Sequence, residues 1–160
     1  MNKNDIVDII FQTHTSGKER IIIFKIVASQ LENEDISETL KEFVVFFSSH
    51  LPLHFKSEEI LIDILKTIEL PVNNINDISN LLTEHKSMEK ELEELKIQVE
   101  KSDSALQEDS IQKMNKLIEQ LFQHSKKEDQ ILFPLAQEKI NGKLKEKLRS
   151  KIEHLHKNIS

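Results

Sequence analysis

The chain has 160 residues, 22 Lys and Arg against 28 Asp and Glu, a formal net charge of −6, and no Cys, Tyr or Trp. That length is one domain with room for a sizeable core, and the acidic balance argues against nucleic-acid binding by the whole surface. The missing cysteines exclude disulfides, thiolate zinc sites, cysteine-ligated iron–sulfur clusters and cysteine nucleophiles, and the missing tyrosines leave no tyrosyl radical.

The N-terminus, Met1 to Asp8, lacks a basic start followed by an apolar block, so no signal peptide is expected. No run of about 20 apolar residues could span a membrane. The expected location is cytoplasmic. A first helical seam then reads Val7, Ile10, His14, Gly17, Ile21, Phe24, Ala28, Leu31, with alternating steps of three and four. A second reads Leu40, Phe43, Phe47, Leu51, His54, Glu58, Leu61, Leu65. A third reads Ile78, Leu81, His85, Met88, Leu92, Leu95, Val99. A fourth reads Met114, Leu117, Leu121, His124, Glu128, Ile131, Leu135. Two Gly, three Pro and few β-favouring runs complete an all-α pattern. The expected architecture is an antiparallel up-down-up-down four-helix bundle over residues 1–140. Residues 139–160 hold seven Lys and Arg and two Glu, a net of +5, which leaves −11 for the rest. Asn141-Gly142 is a helix stop. Residues 141–160 then form a short basic amphipathic helix, with Leu144, Leu148, Ile152, Leu155 and Ile159 on one stripe, packed on the same domain. The alternative for this stripe is a protein partner or a membrane surface.

The polar intrusions into the four seams fall at one height. Antiparallel neighbours bring together residues equidistant from the turn between them. The midpoint of His14 and His54 lies in Asn33-Glu34-Asp35. That of His54 and His85 lies beside Pro71 and Asn73-Asn74. That of His85 and His124 lies beside Ser102-Asp103-Ser104. All three are loop-forming sequence. The chain also repeats itself: His14 maps on His85 at an offset of 71, and His54 and Glu58 map on His124 and Glu128 at 70. Two helical hairpins, each giving two His and one Glu, make a pseudo-two-fold site.

His and Glu four residues apart share a helix face, and in both pairs the Glu also sits on the seam. Buried carboxylates need compensation, and cations supply it. Imidazole with carboxylate suits iron, manganese or zinc. Six ligands (His14, His54, Glu58, His85, His124 and Glu128) exceed the four of a lone zinc. Two metals sharing Glu58 and Glu128 as bridges use the set fully. Each ion then has two imidazoles and two carboxylate oxygens. A bridging oxide or hydroxide makes five, leaving one position for an exogenous ligand.

Several neighbours bear on this site. Glu89 is expected to point sideways into solvent, since Met88 holds the next seam position. His50 lies one turn before His54, as a boundary residue or beside a channel. Glu59 and Glu84 adjoin the ligand set and could orient an imidazole by accepting its other N–H. His154 and His156 belong to the basic tail, away from the layer. Gly17, one turn after His14, leaves room for a small ligand or packs closely against a Phe. Phe11, Phe47, Leu51, Phe55, Met88 and Leu121 are expected to line a dry pocket suited to a small apolar diatomic. Pro52 should free the Ser48 carbonyl and bend the second helix.

The order His, H-x-x-x-E, His, H-x-x-x-E resembles the hemerythrin-like, or HHE cation-binding, domain over about residues 5–137. His54-Phe55-Lys56-Ser57-Glu58-Glu59 and His124-Ser125-Lys126-Lys127-Glu128 stand as its motifs. Leu132-Phe133-Pro134 resembles the L-F-P run that often follows the second; Leu61-Ile62-Asp63 departs from it after the first. The resemblance implies two iron ions, Fe2+ or Fe3+, non-haem and bridged by Glu58 and Glu128. Oxygen-carrying hemerythrins are less similar, because Glu89 stands where they have a second third-helix histidine and Glu128 where they have an aspartate. The four-His, two-Glu set is more similar to di-iron repair proteins and to iron- or oxygen-sensing hemerythrin domains. The repair proteins' cysteine-bearing N-terminal domain has no counterpart here. Ferritin-like bundles, with Glu-x-x-His and more carboxylates, fit less well. The expected function is binding or sensing of a small diatomic, oxygen or nitric oxide, or of iron. The alternative is a stress-response protein that repairs iron–sulfur centres or reduces nitric oxide or peroxide.

Overall fold

The computed structural model describes residues 5–30, 36–101 and 104–158. The expected turns at Asn33-Glu34-Asp35 and Ser102-Asp103, the seam residue Leu31 and the stripe residue Ile159 lie outside them. Among the described residues there is no strand. Helices α1 (Ile6–Gln30), α2 (Ile36–Leu65), α3 (Val72–Lys101) and α4 (Gln107–Lys127) form the bundle. Each packs on its sequence neighbours, and α1 also packs on α4, so the four close into a square. Asp5 caps α1, its Oδ1 accepting from the Val7 N–H at 2.9 Å. Between α2 and α3 the chain turns tightly, with the Thr67 N–H on the Ile64 oxygen and the Ile68 N–H on that of Leu65. Asn73 and Asn74 fall in the first turn of α3 rather than in this loop. Helix α2 runs unbroken through Pro52.

The fourth helix departs from a single seam. Pro134 has no N–H to donate, and its ring excludes the carbonyl four residues back. The chain answers with a wide π turn over Glu128–Leu132, in which the Phe133 N–H reaches back five residues to the Glu128 oxygen. A short helix α5 (Phe133–Lys139) follows. The turn delays the apolar face by one residue. Leu132 and Phe133 are buried where the plain seam put Ile131, which is only partly covered.

Gly142, at φ 52°, reverses the chain into α6 (Lys143–Lys157). This conformation suits a residue without Cβ. The apolar stripe of α6 lies on α1 and α2, with Leu148 and Ile152 buried. Lys145 pairs with Asp5, tying the last helix to the start of the first.

The core comes in two blocks. One joins the start of α1 to the end of α2, the start of α3, α5 and α6, around Ile10, Leu61, Ile78 and Phe133. The other joins the end of α1 to the start of α2, the end of α3 and α4, around Phe24, Phe47, Leu95 and Met114. Between them lies a polar layer.

Candidate metal centre

Seam position and helix antiparallelism deliver His14, His54, Glu58, His85, His124 and Glu128 to that layer, and all six are buried. Glu58 sits among three imidazoles. Its Oε2 is 3.1 Å from His54 Nε2 and 3.4 Å from His14 Nδ1, and its Oε1 is 3.3 Å from His85 Nε2. Glu128 also meets three. Its Oε1 is 3.2 Å from His124 Nε2 and 3.5 Å from His14 Nδ1, and its Oε2 is 3.8 Å from His85 Nε2. Glu58 thus turns its two oxygens to opposite sides of the layer, whereas Glu128 reaches both sides with Oε1. Two overlapping groups have donor atoms close enough to share an ion: Glu58, His85, His124 and Glu128, and His14, His54 and Glu58.

The electrostatics show what such a centre needs. Burial opposes a charge on His85, yet the neighbouring carboxylates of Glu128, Glu58 and Glu59 lift it to about 11. Burial likewise opposes His124, which Glu128, Glu84 and Glu58 lift to about 9. His14 is raised against its burial by Glu58, Glu128 and Asp129. Glu58 is held well below the usual carboxylate range, because His54, His14 and His85 outweigh the cost of burying it. Without a cation the layer must therefore take up protons to balance its carboxylates. Even so, both oxygens of Glu58, Glu128 Oε2, His85 Nε2 and His124 Nε2 are buried without a hydrogen-bond partner. Buried polar atoms are seldom left so. Nitrogen and carboxylate oxygen donors that converge in this way suit borderline or hard divalent ions, and the residues fit a metal centre.

The outward faces of the imidazoles are held by carboxylates. Glu84 Oε2 accepts from His124 Nδ1 at 2.8 Å and is itself paired with Lys127. His124 and Lys127 draw the Glu84 carboxyl down to about 2, over the opposition of its partial burial. Glu59 Oε1 lies 3.5 Å from His85 Nδ1, beside it but without a hydrogen bond. Asp129 Oδ1 meets His14 Nε2 at 2.8 Å, and its Oδ2 pairs with Lys18. Glu59 and Glu84 were legible as neighbours of the seam histidines. Asp129 and its lysine were not singled out, although Asp129 follows Glu128 as Glu59 follows Glu58. His54 breaks the pattern. The repeat places Thr13 where Glu84 serves His124, and His54 Nδ1 is buried without a partner.

Other candidates lie apart. Glu89 is exposed, and His154 and His156 are exposed on α6. His50 belongs to neither ligand group. Its ring stacks between Phe46, at 5.2 Å, and His54, at 5.4 Å. Gly17 faces that ring and not a Phe: a Cβ there would lie 2.7 Å from His50 Nε2. A cavity of about 20 Å³ lies against the layer, walled by His14, Gly17, Phe47, Leu51, His54 and Glu128 among others. Phe55 and Leu121 also line it; Phe11 and Met88 do not. Phe11 instead packs on His14 and Phe133, and Met88 lines a surface groove beside Glu84. The wall is also less dry than the sequence implied, since Lys18, His50 and Ser125 contribute to it.

No helix among the described residues is long and apolar enough to cross a membrane. No curated protein and no solved structure gives a significant match. The hemerythrin HHE cation binding domain, as a family, matches residues 5–136, and so takes in all six converging side chains. The chain belongs to the hemerythrin HHE cation-binding family.

Proposed function

We propose that this is a non-haem di-iron protein that binds or senses a small diatomic, oxygen or nitric oxide, or iron itself, at an open coordination position. His14 and His54 would hold one iron, His85 and His124 the other. Glu58 and Glu128 would bridge them, with an oxide or hydroxide completing the bridge. One observation carries the reading: six buried side chains converge, and Glu58, Glu128, His85 and His124 turn inward donor atoms that no hydrogen bond satisfies. A cavity of about 20 Å³ beside them admits a ligand of only a few atoms. Two irons would supply reversible redox chemistry and a Lewis-acidic position for that ligand. The chain's own residues orient the imidazoles through Glu84, Glu59 and Asp129, and exclude bulk water with Phe47, Leu51 and Phe55. The absence of Tyr and Trp favours binding over turnover that needs long-range electron supply.

The deciding experiment is metal content per chain by mass spectrometry, with absorption spectra, on protein expressed with iron. About two irons per chain, falling steeply in His54→Ala and Glu128→Ala but not in His154→Ala or His156→Ala, is the expected result. Two irons retained in both ligand variants would overturn the assignment.

A further inference from the structure

The two halves of the layer are not equivalent. The group around His85 and His124 has four donors close enough to share an ion, whereas that around His14 and His54 has three. The inner cavity touches both groups: its wall includes His14 and His54, and also His124 and Glu128.

Besides His54 Nδ1, His124 Nε2 and Glu128 Oε2, which belong to the ligand layer, that wall holds one further polar atom without a partner: His50 Nε2 is buried and unbonded. Its ring has little freedom: Phe46 and His54 stack on it from either side at interplanar angles of 15° and 18°. Its tip meets α1 at Gly17, where any Cβ would stand 2.7 Å from Nε2. Lys18, a cation in the same wall, is engaged by Asp129. His50 also lines a second cavity of about 170 Å³, with Thr13, Ser49, His54 and, from α6, Ile152 and His156. The imidazole thus stands between an outer chamber beneath the C-terminal helix and the inner cavity at the metal layer.

We propose that His50, with its proton on Nε2, donates a hydrogen bond to the far atom of a small exogenous ligand seated in that cavity. This rests on the open coordination position argued above, and adds which residue holds the ligand. The ligand class follows from the geometry: two or three atoms, with a terminal hydrogen-bond acceptor. Gly17 is glycine because the imidazole tip occupies the space of a side chain.

The test uses the iron-loaded full chain in its diferric form, with azide as probe, in the wild type, His50→Leu, His50→Gln and Gly17→Ala. Iron per chain, azide dissociation rate and the stretching frequency of bound azide are measured for each. A hydrogen bond to a charged acceptor is worth enough to change dissociation by about 10- to 100-fold. His50→Leu should therefore keep its iron, release azide faster by that factor and shift the azide stretch. His50→Gln, which places an N–H near the same point, should stay within about threefold of wild type. Gly17→Ala should move in the direction of His50→Leu with His50 still present. Unchanged dissociation in His50→Leu, or equal acceleration in His50→Leu and His50→Gln, overturns the proposal and leaves the open position standing. Loss of iron in His50→Leu with His50→Gln unchanged in azide release moves the decision to Gly17→Ala, whose unaltered release then overturns it. Wild type that holds two irons and takes up no azide overturns the open position itself.

Discussion

Gly17→Ala measures how tightly the wall between α1 and α2 is built. In a helix interior this change ordinarily stabilises by about 1 kcal/mol. Here the added carbon would lie 2.7 Å from His50 Nε2, and ordinary contact begins at 3.4 Å. The imidazole tip must retreat by the difference, about 0.7 Å. It cannot do so freely, because tilting it disturbs the stack with Phe46 and His54. Overpacking of this kind costs about 1–3 kcal/mol. The single variant should therefore range from neutral to about 2 kcal/mol less stable. In a His50→Ala background the obstruction is gone, and the same change should stabilise by about 1 kcal/mol. The two positions are thus coupled by about 1–3 kcal/mol. The assay is urea unfolding of all four proteins in chelator, so that metal loss does not enter. Far-UV circular dichroism is the readout, since the chain has no Trp or Tyr. Equal effects of Gly17→Ala in both backgrounds would refute the reasoning.

Asp129→Asn and Glu84→Gln, which loosen His14 and His124, should each weaken metal affinity by about 10- to 100-fold without unfolding the chain; chelator competition would show it, and unchanged affinity in both would remove the orienting role. In the metal-free protein, His85 and His124 are raised from 6.5 to about 11 and about 9. Their contribution to stability is then complete below pH 6.5 and lost as pH rises through those values. The melting temperature of the metal-free protein should fall between about pH 7 and pH 10, and a flat profile there would contradict it. Leu148→Ala in α6 should cost about 2–5 kcal/mol, read from the melting temperature, whereas a cost below about 0.5 kcal/mol would mean that α6 does not pack on the bundle in solution.

The sequence made the layer legible because two periodicities coincide there. The steps of three and four put each histidine on a buried face, and the loop midpoints put all four at one height. Burial of Glu58 and Glu128 followed from the same register. Pairings across helices were harder to read. Asp129 meets His14 from within the wide turn at Glu128–Leu132, and Pro134, which that turn accommodates, stands five residues downstream of Asp129. A seam drawn at constant period runs straight through such a turn. The contact between Gly17 and His50 was hidden for another reason. Each residue was legible as a neighbour of a seam histidine, but the distance between two helix surfaces is not a property of either sequence segment.

The division of the core into two blocks has a mechanical consequence. The helices pass from one block to the other only through a layer of groups that repel burial unless neutralised. Two metal ions there would act as a clasp on four helices at once, joining residues 14, 54, 85 and 124. The segments so closed are some 30 to 40 residues long, and in a chain-entropy picture a cross-link over such a loop restrains the unfolded ensemble by about 4 kcal/mol. A protein with no cysteine would gain a fastening of disulfide strength, indifferent to thiols and released by whatever withdraws the metal.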